Sequence, residues 1–188
     1  MDREHAATLR GQVTGGHEAA SWLDRELRGA LTRANQMVPA RHPLQARGAG
    51  AFDGSFSGPG PALNALLVVR LFLHGLAEVE GGIGPEPSAA AAALSEAERR
   101  GSRRGTPVGW RTVVVEPGEE SAGLDAVAMF RDLLLHRMDE RDARLTLALL
   151  EGSSVTSAAQ AVGISQQAAS RRLRSNGGYA LLQSWEKV

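Results

Sequence analysis

The 188-residue chain has no cysteine, which excludes disulfides, thiolate chemistry and cysteine-held zinc. A reducing, cytoplasmic setting is the expectation that follows. Lysine is nearly absent as well: Lys187 is alone among 21 basic residues, and the rest are arginine. With so much alanine and glycine beside it, that bias marks a GC-rich genome before it marks phosphate binding. Aromatics are scarce (3 Trp, 1 Tyr, 4 Phe), so a core has to be made chiefly of Leu, Val and Ala.

Long apolar runs are missing too. The longest, residues 62–76, is broken by Asn64, Arg70 and His74 and falls short of the ~20 apolar residues a bilayer helix needs. No membrane partner is expected. Residues 1–10 mix charges of both signs without an apolar stretch, so no signal peptide is expected either.

Net charge is zero, yet the charges are unevenly spread. Residues 99–115 carry five basic and no acidic side chains, residues 116–142 three basic and eight acidic, and residues 143–188 five basic and two acidic. A polyanion would meet the basic stretch around Arg99–Arg111 or the carboxyl-terminal end. The first of these reads equally as a loop making phosphate or minor-groove contacts and as a solvated loop.

Periodicity divides the chain in two. Residues 6–14 alternate as a strand would, and Ala20, Leu23, Leu27, Ala30, Leu31, Ala34 and Val38 recur at helical spacing with Pro39 as a stop. Residues 43–57 read as a hairpin turning at Gly48–Gly50. Pro59 opens a helix apolar on most faces, and residues 78–84 and 110–116 read as strands around an Ala-rich helix at 88–99. After residue 118 only helical stretches follow, at 124–138, 140–150, 156–162, 166–174 and 179–185. The fold class expected is α+β: residues 1–118 an α+β dimerisation or sensing domain, residues 119–141 a connecting helix, residues 142–188 an all-helical domain.

Residues 145–174, LTLALLEGSSVTSAAQAVGISQQAASRRLR, carry the chemistry. Thr156 suits the N-cap of a short helix whose Ala158, Ala159 and Val162 face inward. Gly163 supplies a turn, Ile164 plugs the core, and Ser165 caps the next helix. There Ala168, Ala169 and Leu173 point inward, leaving Gln166, Gln167, Ser170, Arg171 and Arg174 outside. This is helix-turn-helix spacing. Glutamine can bond adenine twice, arginine guanine, and Ser or Thr at a helix start can hold phosphate. The competing reading is a helical hairpin that only packs or dimerises. Double-stranded DNA is the partner expected, with Thr156, Ser165, Gln166, Gln167, Ser170, Arg171 and Arg174 as contacts. A homodimer would place two such units on half-sites about one helical turn apart.

GISQQAASRRLR is similar to the recognition-helix stretch of sigma-factor region-four and LuxR-type units, and especially to the tail of SatD-family bacterial proteins. In that family such a tail follows a ferredoxin-like domain that looks like the palm of nucleotide cyclases and GGDEF enzymes. GAFDGSF at residues 50–56 resembles the family's Gly-Asp-Glu-Phe hairpin, GQVTGG at 11–16 its first strand end, and EVEGGIG at 78–84 a later strand. The resemblance implies a palm-like first domain and a helix-turn-helix tail, and the DNA-facing residues of that tail make a bacterial transcriptional regulator the function expected. It also implies where metal-binding carboxylates would stand, and those places hold Gln12, Gly50 and Ala51. With Asp53 the hairpin's one carboxylate, the domain is expected to be catalytically empty, with no cofactor or metal and no catalytic residue. A cyclase-like nucleotide enzyme and a protein-interaction adaptor are the alternatives. The five histidines are scattered, and Ser55 and Ser57 are read as having no histidine placed beside them.

Overall fold

The computed structural model describes residues 6–15, 20–102, 109–115 and 121–188. Residues 103–108 of the basic stretch, including Arg103 and Arg104, lie outside the described residues, as do His5 and His17.

The chain is α+β, with a five-stranded mixed sheet and eight helices among the described residues. In chain order these are β1 (Ala7–Thr14), α1 (Ala20–Met37), β2 (His42–Gly48), β3 (Ala51–Phe56), α2 (Pro59–Phe72), β4 (Glu78–Gly84), α3 (Pro87–Ser102) and β5 (Thr112–Val114). Five helices follow: α4 (Ser121–Arg137), α5 (Glu140–Leu150), α6 (Val155–Ala161), α7 (Gln166–Ser175) and α8 (Gly178–Trp185).

The sheet order is β2-β3-β1-β4-β5, antiparallel except for the parallel pair β4–β5 that α3 connects. Alternation along β1 buries Ala7, Leu9 and Val13 on one face, against α1 and α2. The helical spacing read in α1 is the buried stripe Leu27, Ala30, Leu31 and Ala34. Helix α2 starts at Pro59, whose fixed φ suits a first turn, and is buried from Ala62 to Val69. On the other face α3 lies against β4 at a distance only glycine permits: a Cβ on Gly82 would overlap the backbone nitrogen of Leu94.

Strand β5 covers only three of the residues read as a strand at 110–116, the last of which lies outside the described residues. Its ladder to β4 is bounded by Gly81 N–H to Arg111 O (2.9 Å) and Val115 N–H to Ile83 O (2.9 Å). Trp110 is outside it, its indole donating to Thr112 O (2.9 Å) while its ring lies 3.9 Å beneath the Arg100 guanidinium. The strand's outer edge is covered by α4: Val114 N–H donates to Asp125 Oδ1 (3.1 Å) and Arg111 N–H to Asp132 Oδ2 (2.6 Å). Asp132, 1% exposed, also accepts from Thr112 Oγ1 (3.0 Å) and pairs with Arg70, so its buried charge is fully surrounded by donors.

Packing continues from the sheet into the tail. Ala128, Leu135, Met138, Ala143, Leu147 and Leu181 belong to the same buried cluster as Leu9, Phe52 and Leu66. A second cluster joins Leu145, Ala158, Ala159, Ala169 and Leu173. Helix α5 thus serves both cores from opposite faces, and a domain boundary at 141/142 falls within its first turn.

Candidate nucleic-acid interface

Three short helices, α5 to α7, are each started by a side-chain cap. Asp139 Oδ1 accepts from Asp142 N–H (2.9 Å), and Asp142 Oδ2 accepts from Asp139 N–H (3.3 Å), a reciprocal capping box for α5. Helix α6 is capped by Ser154, whose Oγ accepts from Ser157 N–H at 3.1 Å. This corrects the expectation for Thr156. Ser154 has the extended backbone that lets a hydroxyl reach the third helical amide, whereas Thr156 already lies inside the first turn with its side chain exposed. Ser165 caps α7 as its sequence position suggests, with Oγ accepting from Ala168 N–H at 3.2 Å.

Between α6 and α7 the chain turns at Gly163, whose φ of 72° is left-handed and favours glycine. Ile164 then reaches back into the second cluster beside Val155 and Val162. Ala169 and Leu173 anchor the inner face of α7 on Leu145, Ala158 and Ala159. Its outer face is left to solvent: Gln166, Gln167, Arg171 and Arg174 are exposed and Ser170 is half-buried. Gln167 lies three and four residues before Ser170 and Arg171, and Arg174 four and three after them, so they form one stripe. The structure therefore brings five of the seven sequence-expected residues onto the start and outer face of a single helix. Ser165 sits at its tip, and exposed Thr156 lies on the neighbouring helix.

Arg172, the middle member of the arginine run, goes the other way. Its Nε donates to Asp142 Oδ1 (2.7 Å) and its Nη2 pairs with Asp139. Asn176 Nδ2 adds a bond to Asp142 Oδ2 (2.7 Å). The bonds to Asp142 and then Asp139 raise the Arg172 pKa above its ordinary value. Burial pushes the Asp139 carboxyl upward, but the Asp142 backbone amide and the Arg172 guanidinium outweigh it, leaving the group below the usual carboxylate range. Sequence reasoning did not find this latch, although Asp139 and Asp142 have capping-box spacing. It neutralises the acids nearest α7, and Arg33 does the same for Glu151 (2.8 Å). Arg171 and Arg174 have no ion-pair partner among the described residues.

A palm would need carboxylates on the outer face of the sheet. Gln12 does sit against the hairpin tip, its Nε2 donating to Ala49 O (2.8 Å) and Val13 O (3.2 Å), with Ala51 as its cross-strand partner. An amide facing carbonyls offers a metal ion no charge. Asp53 is held by Arg47 (2.9 Å to Nε), which raises the arginine's pKa through that bond. Among the described residues, no three His, Asp or Glu side chains stand together as a metal would require. These residues do not fit a two-metal cradle. One reading is corrected: His42 Nδ1 lies 2.7 Å from Ser55 Oγ, because the two face each other across β2 and β3. No carboxylate bonds the other ring nitrogen among the described residues, so the pair lacks the orienting member of a hydrolytic triad.

No helix among the described residues is long and apolar enough to cross a membrane. Set against family models, curated proteins and solved structures, the chain matches none.

Proposed function

We propose that the chain is a sequence-specific DNA-binding protein, a bacterial transcriptional regulator of the cytoplasm that reads the duplex with α7. In this reading α5–α7 form a helix-turn-helix, with α7 laid in the major groove. Gln166, Gln167 and Arg171 meet base edges, and Ser165, Ser170, Arg174 and Thr156 meet sugar–phosphate groups. The observation that carries it is the stripe on α7: its polar face is exposed and free of acidic partners while Arg172 and the apolar face hold the helix in place.

The first 118 residues are proposed to be a ferredoxin-like, palm-type domain of the SatD-like kind, kept for dimerisation or sensing. The order β2-β3-β1-β4, with two helices on one face, supports that assignment. Gln12, Gly50 and Ala51 favour binding over nucleotide turnover. Helix α4 would supply the dimer contact, since Phe130 on it is 45% exposed and Val115 beside β5 is 42% exposed.

Selection of bound duplexes from a random pool tests the reading. A compact enriched motif that disappears in Gln167→Ala and Arg171→Ala, with the fold intact, is the expected result. Recovery of no motif, or the same motif from the variants, overturns it.

A further inference from the structure

Where α2 ends, β4 begins and α4 closes, the fold leaves a cavity of about 280 Å3. Arg70 and His74 line it from the end of α2, Glu78 and Arg111 from the sheet, and Leu135, His136 and Met138 from the end of α4.

The polar groups in this wall are incompletely partnered. His74 Nε2 lies 2.9 Å from Leu135 O, which only accepts, so Nε2 donates there and in the neutral ring Nδ1 is the acceptor. That Nδ1 is buried without any partner. Arg70 makes its bonds to Thr112 and Asp132 through Nη1, and neither Nε nor Nη2 bonds a described residue. Burial pulls this guanidinium down to about 10, the response of a cation removed from water. Arg111 is fixed by Glu80 (2.7 Å), whereas Glu78, mostly exposed, reaches it only at 3.5 Å and is free to turn to another cation.

We infer that this cavity binds a free α-amino acid with an aliphatic side chain. Its carboxylate takes the guanidinium N–H groups of Arg70 and Arg111. Its ammonium donates to His74 Nδ1 and Glu78, satisfying the buried acceptor and the loosely held carboxylate together. Its side chain lies on Val79, Leu135 and Met138, which form the apolar part of the wall. A simple anion would leave Nδ1 without a donor and face Glu78; a simple amine would leave Arg70 as it is. The site stands whether or not α7 meets DNA.

The test titrates the full chain, without DNA, with L-leucine, with 4-methylpentanoate, which lacks the amine, and with 3-methylbutylamine, which lacks the carboxylate. Imidazole NMR signals are the readout. Leucine should shift the His74 signals saturably and leave those of His42, on the outer sheet face, in place. Each truncated probe should bind about tenfold more weakly or worse, the effect of losing a charge-assisted hydrogen bond. Glu78→Gln should remove the preference for leucine over 4-methylpentanoate, and Ala77→Phe should fill the cavity and abolish binding while the signals of His42, which is not in the cavity wall as His136 is, keep their positions. No saturable His74 shift with leucine, equal binding of 4-methylpentanoate, or an unchanged preference in Glu78→Gln overturns the assignment.

Discussion

Arg172 on α7 donates from Nε to Asp142 Oδ1, 2.7 Å away on the first turn of α5, and Asp142 is only 3% exposed. The bond fixes how far α7 can rotate about its own axis, and that rotation decides which residues face outward. Arg172→Met removes the donor and leaves a buried carboxylate with fewer bonds, so a loss of about 2 kcal/mol is expected in urea unfolding. Arg171→Met, one residue away, should change stability by less than about 0.5 kcal/mol because that side chain is exposed and unpaired. Equal effects of the two would show that the latch does not hold the helix.

The same latch carries a pH signature. Asp139 has a lowered pKa in the folded chain, so its charge stabilises the fold above the unfolded value of about 3.9 and that contribution vanishes as pH falls through the lower folded value. Asp139→Asn keeps a capping side chain and removes the charge. The variant should be less stable than wild type at neutral pH, by under about 1 kcal/mol because the carboxylate is more than half exposed. Denaturant midpoints of the two should converge as the pH falls below the ordinary Asp value and through the lower folded one. A gap that widens on acidification would contradict the sign of the shift.

Much of this architecture is legible in the sequence wherever local rules are decisive. The three- and four-residue spacing from Leu27 to Ala34, the Gly48–Gly50 turn and Pro59 each specify their element without help from distant residues. Selection among equivalent neighbours is not legible. Ser154 and Thr156 are both capping types, and only the path of the chain leaving α5 determines which has the extended backbone. Arg171, Arg172 and Arg174 read alike, yet the middle one turns inward because its partner is 30 residues away on α5. The His42–Ser55 contact depends on hairpin register, which is set by irregularities between His42 and Gln45 and between Ala46 and Gly48.

Two glycines should respond to alanine by very different amounts. At Gly82 the new methyl would enter the backbone of α3, and neither strand nor helix can withdraw without opening the sheet; a loss of about 3 kcal/mol or more, or failure to fold, is expected. At Gly163 nothing lies within 4 Å of the added Cβ, so the cost is the left-handed backbone alone, about 1 kcal/mol. Thermal unfolding of the two variants ranks them, and a larger loss at Gly163 would show that the turn, not the β4–α3 contact, is the tighter constraint.

Phe130 stands 45% exposed on α4, on the side away from the Asp125 and Asp132 contacts that cover the β5 edge. With that edge occupied, pairing of strands from two copies through β5 is blocked, and a dimer on this side has to form between α4 helices. If the chain forms the proposed dimer through α4, Phe130→Asp shifts sedimentation from dimer to monomer with little change in unfolding, since an exposed ring contributes little to the monomer. A variant that sediments as the wild type does would remove α4 from the interface.

In the proposed interface, base reading and phosphate holding on α7 would separate by their dependence on salt. Arg174 stands near the carboxyl-terminal end of the stripe, seven residues from Gln167 along one face. If it neutralises one phosphate, Arg174→Ala weakens binding to all duplexes alike and reduces the slope of log K against log salt by about 1. Gln167→Ala, removing no charge, should leave the slope as it is and relax discrimination at one base pair by about 1–3 kcal/mol. Because an uncharged amide releases no counterion, a change of salt slope in Gln167→Ala would mean that α7 is displaced rather than trimmed, and the latch from Arg172 to Asp142 would then be the place to look.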